Sequence, residues 1–247
     1  MTLTPTIESY GELQQAFDHF NQELFDGQLP QCLFTLQRKR STYGYYCPQR
    51  FANEQGRKSD EIALNPQFFA VVPVMQTLQT IAHEMVHLWQ QHYGTPGRRG
   101  YHNKEWGRKM EHIGLMPSNT GKPGGRKTGE QMDDYLIAGG RFEQAANDLL
   151  AGQFGITWKD RYPDRVTLLE TISVAEFINS GDISYEDQVS IESLEALDIP
   201  IEEIRLQENT SNRSKYSCSS CGLNAWAKPN IKLICGDCEV PLGEILI

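Results

Sequence analysis

The sequence predicts an α+β chain in which a small sheet precedes a helix carrying an HExxH motif, a mostly helical stretch follows, and a small cysteine-bearing module comes last. Three observations lead there: runs rich in aromatic and β-favouring residues between residues 32 and 69, a helical stripe of apolar residues around His83, Glu84 and His87, and two CxxC pairs after residue 215.

The elements follow in order. From Glu8 to Phe25, Leu13, Phe17, Phe20, Leu24 and Phe25 recur at helical spacing and Asp26-Gly27 supplies a stop, so the spacing predicts an amphipathic helix. CLFTLQRK, STYGYYCPQRF and DEIALNPQFF read as the strands of the small sheet. Pro73 suits a first helical position, and the helix it opens sets Met75, Leu78, Ala82, Met85 and Trp89 on one stripe before Gly94 ends it. A Gly-rich turn leads to a second helix from Asn103 to Gly114, then SNTGKPGGRKTGE forms a loop. A helical pattern runs from Gly140 to Leu150, and LLETISVAEFI and IESLEALDI form short amphipathic helices in an acidic segment. The expected divisions are a domain carrying the HExxH motif over 1–118, a basic loop and helical extension over 119–163, an acidic helical insert over 164–210 and the cysteine-bearing module over 211–247.

Hydrophobic residues make up 39% of the 247 and charged residues 22%, which argues against both global disorder and a membrane protein. The N-terminal residues lack a basic region followed by a continuous apolar stretch, so the expected location is the cytoplasm, at the nucleoid if the chain is bacterial. A net charge of −9 argues at first against a nucleic-acid partner, but one segment carries it. Between Asp164 and Thr210 twelve acidic residues face only Arg165 and Arg205, whereas Arg98 to Lys127 holds eight Lys or Arg against Glu105 and Glu111. That basic stretch lies beside the motif and keeps DNA open as a partner.

His83 and His87, four residues apart, project from one helix face and can grip a single ion. Glu84, one position on, is turned away from direct ligation and faces a metal-bound water, the place of a general base. Two neutral imidazoles with an open position suit zinc. For the third ligand there are four candidates. His92 points about 140° round the same helix. His102 follows the Gly-rich turn, which lets the chain swing back over the metal, and ranks ahead of Glu105 and His112 further along the next helix.

YGYYCPQRF, DEIALNPQFF, IAHEMVHLWQ and GYHNKEW, in this order, resemble the SprT-like metallopeptidase domain, to which Spartan-type proteases belong; the likeness runs from Glu8 to Leu115. The resemblance implies a zincin-type fold with His83, His87 and His102 as ligands of a catalytic zinc and Glu84 as catalytic base. It also implies a substrate class, proteins bound or crosslinked to DNA, cleaved by a protease that DNA recruits.

Cys218 and Cys221 are followed after thirteen residues by Cys235 and Cys238, and four thiolates from two such turns close a structural zinc site of the ribbon type. Lys215, Tyr216, Trp226, Lys228 and Lys232 add aromatic and basic groups that suit bases and phosphates. Cys32 and Cys47 read as small apolar residues in or near the core. The competing reading is a non-catalytic, zinc-containing factor associated with nucleic acid or transcription; an intact Glu84 weighs against it, since a purely structural site has no use for that carboxylate.

Overall fold

The computed structural model describes residues 4–39, 42–98, 100–179, 189–202 and 214–245. Arg99 of the basic stretch and Asp182, Glu186, Asp187, Glu203, Arg205 and Glu208 of the acidic one lie outside the described residues. The chain forms two compact units, Met1–Ile199 and Pro200–Ile247, and is a mixed α/β protein with three small sheets among the described residues. No helix among the described residues is long and apolar enough to cross a membrane.

In the first unit, helix α1 (Pro5–Phe25) opens with proline in its first turn, where the missing N–H costs nothing. It buries Leu13, Ala16, Phe17, Phe20, Leu24 and Phe25, and stops where Asp26 and Gly27 take positive φ. Strands β1 (Leu33–Leu36), β2 (Gly44–Ala52) and β3 (Lys58–Leu64) form a sheet of order β1-β3-β2. β1 runs parallel and β2 antiparallel to the central β3, which leaves β2 at an edge.

The third strand ends earlier than its sequence predicts. At Asn65 the chain turns into a short 3-10 helix, Pro66–Phe68, because the Asn65 side chain caps the Gln67 N–H and donates to the carbonyls of Lys39 and Thr42. Pro66 has no N–H with which to continue the ladder.

Helix α2 (Val74–Tyr93) carries the motif and has Pro73 as its N-cap rather than in its first turn. Its buried face is wider than the predicted stripe: Ile81, Val86 and Leu88 join Met75, Leu78, Ala82 and Met85, while Trp89 is only half-buried. Helix α3 (Lys104–Ile113) starts at Asn103, whose side chain accepts from the N–H groups of Glu105 and Trp106, and ends at Gly114 with φ 98°. Two four-residue strands, β4 (Leu115–Ser118) and β5 (Asp133–Leu136), then pair antiparallel across the Gly-rich loop.

Helix α4 (Arg141–Ala151) packs Phe142 against Phe20 of α1 with ring centroids 5.4 Å apart. Helices α5 (Arg165–Asn179) and α6 (Ile191–Ala196) come from the acidic segment; Leu168, Ile172 and Leu194 are buried, and Thr171 Oγ1 donates to the Val71 carbonyl at 2.7 Å.

The second unit is a three-stranded sheet, β6 (Ser214–Cys218), β7 (Asn224–Ala227) and β8 (Leu242–Ile245), in the order β7-β6-β8. Its core is Tyr216, Cys218, Cys235 and Leu242. So few apolar side chains leave little hydrophobic stabilisation, and a unit this small needs a metal or a similar staple to fold.

Candidate metal centre

Helix α2 presents His83 and His87 one turn apart, and the turn between α2 and α3 brings His102 back to them. Single ligand atoms of the three imidazoles all lie within 4.8 Å of one another. His87 Nε2 and His102 Nε2 are 3.0 Å apart. Two zinc–nitrogen bonds of about 2.1 Å at a tetrahedral angle set their nitrogens about 3.4 Å apart, so the donor set fits the ion with little adjustment.

Hydrogen bonds orient two of the three rings. His83 Nδ1 donates to Asp134 Oδ2 at 2.8 Å, and His102 Nδ1 donates to the Gly129 carbonyl at 3.1 Å, which leaves each Nε2 free as the ligand atom. The same Gly129 carbonyl also takes the His102 backbone N–H at 2.7 Å, and the Gly129 N–H returns to His102 O at 3.2 Å. Behind the histidines lies Trp106, fully buried, its ring centroid 4.4 Å from His102, 4.9 Å from His83 and 5.4 Å from His87. Its indole N–H has no hydrogen-bond partner among the described residues.

Burial holds His87 well below the ordinary imidazole pKa, helped by the neighbouring His83 and His102, and burial with His83 lowers His102 to about 4. Both rings are therefore neutral at pH 7, the state that ligation requires. For His83 burial also disfavours charge, but the hydrogen bond to Asp134 and the charges of Glu84, Asp134 and Asp133 outweigh it, so its pKa is raised. Glu84 is buried, lines the same cleft as the three histidines, and has its carboxyl pushed up to about 7, chiefly by burial. The Tyr46 backbone N–H donates to it from β2.

The other three candidate ligands stand elsewhere. His92 Nε2 bonds Asp60 Oδ2 at 2.6 Å, and His112 Nε2 accepts from Arg141 Nη1 at 2.8 Å. Glu105 Oε2 accepts from the Thr95 N–H at 2.6 Å and Gln90 Nε2 at 2.8 Å, closing the α2–α3 turn. A Cβ at Gly94 would come within 2.6 Å of that same oxygen, so glycine ends α2 here through close approach, its φ of −126° being ordinary.

A SprT-like family model matches residues 13–123. The chain belongs to the SprT-like family. A curated relative from Salmonella typhimurium, described as "Uncharacterized protein in mucB 3'region", is 54% identical over 59 residues, 24% of this chain and 80% of the relative. No solved structure matches. The SprT-like span includes all three histidines but ends before Gly129 and Asp134, the two groups that orient His102 and His83.

Sequence reasoning missed Asp134, Gly129, Trp106 and Tyr46 as parts of this SprT-like site. His102 stands four residues before Trp106, a spacing that puts a residue preceding a helix next to its first turn and was open to inspection. Asp134 meets His83 from 51 residues away, a distance at which local pattern carries no signal.

The second unit holds the other metal-ligating group, Cys218, Cys221, Cys235 and Cys238. Each CxxC bends back on itself: the Gly222 N–H bonds Cys218 O at 2.9 Å and the Glu239 N–H bonds Cys235 O at 2.8 Å. Cys221 Sγ and Cys235 Sγ are 3.7 Å apart, close to the roughly 3.8 Å that two zinc–sulfur bonds of about 2.3 Å make in a tetrahedron. Both groups are compatible with zinc. Cys32 and Cys47 are half-buried and belong to neither; burial pushes the Cys32 thiol up to about 12, which keeps it unreactive.

Proposed function

We propose that the chain is a zinc-dependent metallopeptidase of zincin type, hydrolysing proteins bound or crosslinked to DNA. The observation that carries the reading is the convergence of His83, His87 and His102 in one cleft with a buried, unligated Glu84. A zinc ion bound by the three imidazoles supplies a Lewis acid and a water of lowered pKa. Glu84, buried in the same cleft, would be the residue that takes a proton from the attacking water as the C–O bond forms and returns it to the departing amine nitrogen as the C–N bond breaks. β2 is an edge strand of its sheet and lines the cleft from Gly44, so a substrate strand would pair with its main chain beside Glu84, in exchange for the bond that the Tyr46 N–H makes to that carboxyl.

DNA as the recruiting partner is supported by the basic stretch from Arg98 to Lys127, where Arg98 pairs with Glu130 and Lys127 with Glu111, both at 2.8 Å and both exposed. Such pairs are weak and exchange readily for phosphate. In the ribbon unit, Lys215 stands in register between the exposed Trp226 of β7 and Ile245 of β8, an apolar row with a cation at its centre.

The test is cleavage of a DNA-binding protein by the purified chain, with and without single-stranded DNA, beside Glu84→Gln and a chelator. DNA-stimulated cleavage lost in both controls supports the reading. A chain carrying metal at both sites that cleaves nothing would turn it toward the non-catalytic factor.

A further inference from the structure

Asp60 is 6% exposed, has no part in the reaction above, and accepts three hydrogen bonds. They come from the Tyr46 hydroxyl at 2.8 Å, the Gln49 backbone N–H at 2.6 Å and His92 Nε2 at 2.6 Å. Burial disfavours its charge, yet the three donors outweigh burial and keep the carboxyl below its ordinary pKa. A buried carboxylate with three donors, outside the lining of the cleft that holds the histidines, calls for a reason.

Its donors come from two elements. Tyr46 and Gln49 flank Pro48 in β2, and His92 belongs to the last turn of α2. Gln49 has φ 49°, and the pairing of β2 with β3 breaks between Cys47 and Phe51. Pro48 offers no N–H, so the stretch of edge that can pair with an added strand is Gly44–Cys47, where the Tyr46 N–H is held by Glu84 until a strand takes its place, and Asp60 pins the point where that stretch stops.

Tyr46 also makes a second junction with α2. Its backbone N–H donates to Glu84, and its ring lies within 10° of parallel to His87 with centroids 6.4 Å apart. β2 is thus tied to α2 at Glu84 and, through Asp60, at His92. Eight residues separate these points, about 12 Å along a helix. One tie leaves a pivot; two ties that far apart fix an angle.

Resting on the peptidase reading, we propose that His92 is a positioning residue, acting through Asp60 and Tyr46 to hold the edge Gly44–Cys47 at a set angle to the helix bearing His83, Glu84 and His87. The His92 side chain is 39% exposed and lies outside the hydrophobic core cluster, so its removal takes away the tie without opening a cavity.

The experiment compares wild type, His92→Leu, which cannot donate, and His92→Gln, which can, in the purified full chain. Hydrogen exchange of peptides covering residues 44–52 is measured by mass spectrometry together with metal content and the KM and kcat for a fluorogenic peptide. His92→Leu should speed exchange of that segment about tenfold and raise KM about tenfold at unchanged metal content, with His92→Gln close to wild type. Tyr46→Phe, which removes one of the two bonds by which Asp60 holds β2 and keeps that from Gln49, should raise KM and speed exchange in the same direction by a smaller factor, and covers the case in which His92→Leu fails to fold. Unchanged exchange in His92→Leu and Tyr46→Phe, or a His92→Gln as impaired as His92→Leu, overturns the proposal. A wild type that cleaves nothing while exchange responds as described overturns the peptidase reading alone.

Discussion

Asp134 Oδ2 lies 2.8 Å from His83 Nδ1, and Gln79, one turn earlier on the same helix as His83, donates to Asp134 Oδ1 at 2.7 Å. The carboxylate that aims the first histidine is therefore itself held by that histidine's own helix. Asp134→Ala should weaken metal binding by about 10–100-fold without unfolding the chain, the usual cost of losing an outer partner of a ligating histidine. Competition against a chromogenic chelator measures it, and Gln79→Ala should show a smaller loss in the same assay.

Glu84 links protonation to stability in the metal-depleted chain. Its carboxyl is raised from the ordinary 4.5 to about 7, so the fold prefers the protonated form. This contribution is fully present below pH 4.5 and is lost as the pH rises through 7. At about 1.4 kcal/mol for each pKa unit, the loss is of order 3 kcal/mol. Glu84→Gln, which cannot ionise, should equal wild type in urea unfolding near pH 4 and exceed it at pH 8 when both are free of metal.

Gly44 marks where the edge strand crosses α2. A Cβ there would sit 2.9 Å from the Ala63 carbonyl oxygen and 2.9 Å from Thr80 Cγ2, and the first of these is backbone. Gly44→Ala should cost about 1–3 kcal/mol in denaturant unfolding, as overpacking generally does. It should also reduce peptide cleavage more than metal content, because the strand that moves is the one that Glu84 holds.

The four cysteines predict a separable loss. Cys235→Ser should remove the metal of the second unit and with it the amide-exchange protection of β6, β7 and β8, since a core of four buried residues cannot hold that sheet unaided. Metal analysis should fall from two ions per chain to one, with the histidine site still filled.

What was legible in the sequence was what short range decides. Asn103 and Gly114 bracket α3 as a cap and a left-handed stop, and both depend only on neighbours in the chain. The histidine pair of α2 depends only on helical periodicity. β4 and β5 were missed because four residues such as LMPS or DDYL show no alternation, and a loop spanning 119–132 separates the partners. Strand β3 was read too long because NPQFF is apolar enough to look extended; the buried side chain of Asn65, bonded to residues 23 and 26 positions away, decides otherwise. The partners of the histidines were hidden for the same reason: an acidic pair in DDYL looks solvated until the fold sets one of its carboxylates against His83.

The paired strands β4 and β5 and the bridge between His102 and Gly129 bear on how small a working version of this chain can be. A fragment ending at residue 123, where the family likeness stops, keeps every imidazole and loses both Gly129 and Asp134. Two of its three rings would be free to rotate, and binding an ion would first require freezing them. A version that keeps the oriented site therefore reaches at least Asp134, and two hydrogen bonds rather than resemblance to relatives set that minimum.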